Sequence, residues 1–280
     1  MAEAARGECE ICLEVIWTSF GERAGFSRPF VFDRQMAETT YPPLNVLKPV
    51  AEGIWIVDSG PFRVAGIIPV PVRMTVVRLS GGAIWLHSPT QWSEALQRNL
   101  ESLGPIRHLI VPNPFHWSFV REWQSHCPGA RVAAAEGTKS RWLVRQRGPG
   151  IDLEIGDAAC PDWSDDFDQV IVRARFLFRE VIFFHRASRT AILTDLVVNL
   201  DAQKVTTWQR PGVSAMGSLG PVGKAPVYAR IAYKMNGMQA AAAAAHVIGL
   251  KPERVIFSHG QWFARDGAAR LAASLRWLTD

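Results

Sequence analysis

The chain has 280 residues, 48% of them hydrophobic and 20% charged, a balance that supplies a large core and excludes a low-complexity or disordered chain. Its 31 basic and 26 acidic residues leave a formal charge of +5, but the arginines are scattered among acids, so neither a nucleic-acid surface nor a membrane surface is expected and a small-molecule substrate is. Four cysteines, Cys9, Cys12, Cys127 and Cys160, are too few for a disulfide-framed fold, and the Cys9-x-x-Cys12 pair lacks the second half of a zinc site. No run reaches the length of a membrane helix, and Glu3, Glu8, Glu10 and Glu14 argue against a leader peptide, so the expected compartment is the cytoplasm.

Residues 1–40 lack sustained periodicity and end at Tyr41-Pro42-Pro43; they read as an extension, with one domain over 41–280. Strands are expected at Gly53–Asp58, Met74–Leu79 and Ala83–His87, the last two joined through Gly81-Gly82. Ser93–Leu103 has helical spacing, Ile106–Val111 is a strand, and Phe119–Trp123 is amphipathic. Ala130–Ala135 is strand-like and Glu136–Gln146 reads as a helix closed by Gly148-Pro149-Gly150. After the acidic segment Asp162–Asp168 comes a strand at Gln169–Val172, then the apolar hairpin Val181–Asp195 with its turn at Arg186–Thr190. The Gly-, Pro- and Ser-rich stretch up to Val222 reads as a long loop or lid. Met238–Ile248 is an alanine-rich helix, Val255–Gly260 a short strand, and Arg265–Leu278 an amphipathic helix.

Three polar residues, His116, Asp195 and His259, share one position just past an apolar strand, where α/β proteins place ligands. Two imidazoles and a carboxylate suit one divalent ion, zinc or iron, because such ions take nitrogen and oxygen donors. Pairing in the hairpin sets His185 opposite Ala191 and Val181 opposite Asp195, within a residue. Glu180 then lies near Asp195 as a candidate further ligand or general base. His185 falls at the far end, on the order of 13 Å away, and reads as a structural partner of Ser188 or Thr190. His87 caps its turn or reaches the cleft, while His108, His126 and His246 read as helix or surface residues. No G-x-S-x-G elbow, phosphate-binding loop or dinucleotide fingerprint is present, and the eleven tryptophans read as packing or as the lining of an apolar cleft.

The glycine-punctuated meander, the IVPN loop after a strand, the hairpin ending in Thr194-Asp195 and the late Ser258-His259-Gly260 together resemble the metallo-β-lactamase-like superfamily. The segments YPPLNVLKPVAEGIWIVDSGP, PVRMTVVRL, IWLHSPT, PNPFH and VIFFHRASRTAILTDL resemble more closely a family within it known only as a domain of unknown function. The resemblance implies an αββα four-layer sandwich of two mixed sheets, with a metal site at one edge between them. It matches Asp195 to the superfamily's bridging aspartate and His259 to its last histidine. Of the H-x-H-x-D-H loop only His116 is kept, and the third-motif histidine falls near Phe176. The implied site is therefore reduced and mononuclear, with Asp195 and Glu180 as catalytic candidates. It suits a metal-dependent hydrolase of esters, lactones or thioesters. The alternatives are an iron-dependent oxidoreductase on the same fold and a binding protein that has lost the metal site.

Overall fold

The computed structural model describes residues 39–64, 68–175 and 178–280. The extension, with Cys9 and Cys12, and Phe176 lie outside the described residues apart from Thr39 and Thr40. Among the described residues, eleven strands form two sheets. The first contains β1 (Lys48–Ala51), β2 (Ile54–Val64), β3 (Ile68–Arg78), β4 (Ile84–His87), β5 (Ile106–Val111), β6 (Arg131–Ala135) and β7 (Leu153–Ile155), side by side in chain order. It is antiparallel from β1 to β4 and parallel from β4 to β7. The second sheet has the order β11, β10, β9, β8, from β8 (Phe167–Arg173), β9 (Arg179–His185), β10 (Thr190–Ile192) and β11 (Arg254–Ile256), with only the β10–β11 pair parallel.

Alternation along the strands builds three stacked cores. Trp85, Ile110 and Ala133 of the first sheet meet Val181, Phe183 and Ile256 of the second. On the outer face of the first sheet, Val76, Leu86 and Leu109 pack under α1 (Glu94–Glu101), α2 (Val120–His126) and α3 (Trp142–Arg147). On the outer face of the second, Ile182, Phe184 and Val255 pack under α5 (Val227–Lys234), α6 (Gly237–Gly249) and α7 (Gly267–Thr279). The layers run helix, sheet, sheet, helix, as expected for an αββα sandwich of two mixed sheets. Ser93 starts α1 by accepting the Leu96 N–H at 3.3 Å, and the alanines of α6 let it sit close to α7 and the sheet.

Several local expectations shift. The hairpin pairs His185 with Thr190 and Phe183 with Ile192, within a residue of the expected register as anticipated, though its turn spans only Arg186–Arg189. The helix expected from Glu136 begins at Trp142, since Gly137 takes a left-handed φ of +76° and a run of turns precedes the helix. The β2–β3 hairpin extends well beyond the expected strands. The stretch before Val222 contains a helix, α4 (Arg210–Met216). His108 is a strand residue buried edge-on against Trp163, rather than a helix or surface residue. No described helix is long and apolar enough to cross a membrane.

Candidate metal centre

The loops after β5, β10 and β11 meet at one edge between the sheets. Asp195, two residues beyond the buried Leu193, places Oδ2 3.1 Å from His116 Nε2 and Oδ1 3.2 Å from His259 Nε2. The imidazole rings are 5.3 Å apart. One donor atom from each residue lies within 4.8 Å of the other two, and among the described residues this is the one cluster of histidine, cysteine and carboxylate groups that could hold a metal ion.

Each donor is held from behind. Asn113 is buried, donates to Asp195 Oδ2 at 2.8 Å and to Thr194 Oγ1 at 2.9 Å, and accepts the N–H groups of Phe115 and His116. It thereby shapes the β5 loop and fixes the carboxylate together. The Ser88 hydroxyl lies 2.6 Å from His116 Nδ1, at a residue whose φ of +51° turns the chain sharply after β4. His259 Nδ1 donates to the Pro71 carbonyl of β3 at 2.8 Å. Gly260, at φ +93°, lets its backbone press against Asn199; a Cβ there would lie 2.0 Å from the Asn199 carbonyl oxygen. Arg73 is buried, pairs with Asp58 at 2.6 Å, and donates to the carbonyls of Phe257 and Gly260 on either side of His259.

Glu180 sits beside this cluster but does not face it. It is fully buried, and its two oxygens accept the N–H groups of Thr194, Asp195 and Leu196 at 2.6, 2.8 and 2.9 Å. Burial, then the charge of Asp195, push its carboxyl up to about 7, opposed by those amide donors. Burial would also raise Asp195, but the charges and hydrogen bonds of His116 and His259 outweigh it and hold Asp195 well below the usual carboxylate range. His87 stacks on Trp85 and meets Phe183 edge-on, with neither ring nitrogen hydrogen-bonded. Burial first, and His116 second, hold it down to about 3.

The donor chemistry fits a cation. Because His259 Nδ1 carries the proton given to Pro71, its Nε2 in the neutral ring is a lone pair aimed at a carboxylate oxygen. A second proton or a metal ion resolves that opposition, and a backbone carbonyl accepting the other ring N–H is a usual outer partner of a metal-bound histidine.

The structure thus brings His116, Asp195 and His259 together, keeps Glu180 behind them, and leaves His185 at the hairpin turn with its Nδ1 2.9 Å from Ser188 Oγ. Sequence reasoning missed Asn113, Ser88 and Arg73. Asn113 and Ser88 stand in segments already singled out, immediately after strands, and that position was their signal. Arg73 left none, since its partners lie about 185 residues on along the chain.

The fold and this edge define a class, the metallo-β-lactamase fold. Similar solved structures include the metallo-β-lactamase from Hirschia baltica, at 13% identity and TM-score 0.54, covering 83% of this chain and 97% of that one. The metallo-β-lactamase FIM-1 from Pseudomonas aeruginosa, solved in a mono-zinc form, gives 13% identity, TM-score 0.54, and coverage of 83% and 94%. The enzyme from Pontibacter korlensis gives 16%, 0.52, and coverage of 84% and 99%. Within that fold the chain belongs to the DUF4336 family, a domain of unknown function whose model matches residues 52–216. No curated protein matches the sequence.

Proposed function

We propose that this protein is a metal-dependent hydrolase with a single-ion site formed by His116, Asp195 and His259, acting on an ester, lactone or thioester. The observation that carries the reading is the pair of imidazole nitrogens set on the two oxygens of one carboxylate at the wall of a large cavity. A divalent ion held there supplies Lewis acidity, polarising a substrate carbonyl and making water more acidic. Ser88 and Pro71 orient the two imidazoles, and Asn113 orients the carboxylate. Glu180 acts as a positioning residue for the Asp195 turn rather than as ligand or base, because its oxygens are taken by backbone amides. Tyr228, whose phenol burial pushes up, lines the cavity as a neutral hydroxyl.

Metal analysis by inductively coupled plasma mass spectrometry on the wild type beside His259→Ala tests the reading. Near-stoichiometric metal that falls in the variant is the expected result, and its element separates a zinc hydrolase from an iron enzyme. Trace metal in both proteins, with no uptake on reconstitution, would overturn it in favour of a binding protein.

A further inference from the structure

The donor cluster opens into a cavity of about 700 Å³, the scale of a site that encloses a whole small molecule. Part of the lining comes from the β2–β3 hairpin, with Phe62, Val70 and Val72, and part from α4 and α5, with Val213, Met216 and Ala229. Aromatic rings of the lining contact one another in two groups. Phe62 meets Phe119 edge-on at 6.0 Å, and Phe178 lies 5.5 Å from Phe115 and 6.0 Å from Tyr228. The charged lining consists of Arg141, Arg147, Arg179 and the carboxylates Asp195 and Glu180. Both carboxylates are committed, one to two imidazoles and the other to three amides, so the site disfavours a cationic substrate.

We propose that the substrate is a neutral or anionic ester, thioester or lactone of a linear apolar acyl group, with the chain between the hairpin and helical walls and the carbonyl at the donor cluster. This rests on the hydrolase reading, although binding of the chain needs no metal. The acyl C–O or C–S bond breaks, the water oxygen bonds to the acyl carbon and keeps one hydrogen, and the other hydrogen goes to the alcohol or thiol, which departs from an ester or thioester and stays tethered in a lactone. The apolar walls act on the chain and the polar edge on the carbonyl, so chain length tunes binding without altering the reacting bond.

The test uses the series butanol, hexanol, octanol and decanol, which carry a chain without a metal-binding carboxylate. Binding is read from the fluorescence of Trp117 and Trp208, both on the lining, and by calorimetry. Kd falls about fourfold per added methylene in the wild type and equally in Asp195→Asn, as expected for full burial of each group. Val213→Trp and Val70→Trp, which fill the cavity from its helical and its hairpin lining, weaken decanol binding at least about tenfold and leave butanol unchanged, circular dichroism confirming the fold. Hydrolysis of the matching acyl esters and thioesters follows the same order in the wild type and is lost in Asp195→Asn. Affinity independent of chain length, or benzyl alcohol bound as tightly as octanol, overturns the acyl-chain assignment even where esters are hydrolysed. Chain-dependent binding with no turnover of any ester or thioester by metal-replete protein overturns the hydrolase reading, and the substrate assignment with it.

Discussion

Asp195 and Glu180 are neighbouring carboxylates with opposite settings. Asp195 faces two imidazoles and is stabilised as an anion by them, whereas Glu180 is sealed among backbone amides that it holds in the shape of a turn. His87 is a third buried group, and its shift has its own pH signature. Its folded value of about 3 lies below the ordinary 6.5, so the unfolded chain binds more protons between those limits. The contribution is complete above 6.5 and is lost as the pH falls below it, at a slope approaching roughly 1.4 kcal/mol per pH unit. His87→Phe, which keeps the stack on Trp85 and removes two unpartnered nitrogens, flattens that slope in urea unfolding from about pH 7 to pH 5. An unchanged slope in the variant would assign the acid sensitivity elsewhere.

At the scale of elements, the sites of chemistry were legible but their supports were not. Apolar runs closing on a polar residue marked the ends of β5, β10 and β11, because a buried His or Asp needs a polar partner and finds one most readily where the chain leaves the sheet. β11 itself is three residues long, so His259 stands beyond the strand rather than at its tip. What places it is the loop-to-loop bridge of Asn199 with Gly260, in which Asn199 N–H donates to the His259 carbonyl at 3.1 Å and Gln261 N–H to the Asn199 carbonyl at 2.8 Å. The close approach that Gly260 permits is to the Asn199 backbone. Gly260→Ala combines a disfavoured φ with a carbonyl clash and costs at least about 2 kcal/mol. Thermal unfolding and metal content should both drop, and a wild-type melting profile would show that the bridge is dispensable.

Across the whole molecule, two sheets must hold their edges in register for the cluster to exist. Arg73 makes that tie, reaching from β3 of the first sheet to the carbonyls flanking His259 beyond the second, with its charge balanced by Asp58, which Lys48 also contacts at 2.8 Å. Burial lowers the Arg73 pKa, and the Asp58 anion opposes that shift. Arg73→Met removes three polar contacts and leaves Asp58 with Lys48 alone, at a cost of about 3 kcal/mol. The double variant with Asp58→Asn should recover part of that loss in chemical denaturation. Full additivity of the two substitutions would deny the coupling.

The sequence by itself determined the strand-end positions of His116, Asp195 and His259 and the separation of His185 from them. These follow from local periodicity and from hairpin pairing, both short-range properties of the chain. Only the tertiary structure decided that the two histidines face opposite oxygens of one carboxylate, that Glu180 turns away to hold amides, and that a hairpin and two helices enclose an apolar cavity. Those outcomes depend on side-chain direction and on contacts between segments far apart in the chain, such as Arg73 with Gly260, for which no local pattern of residues can stand in.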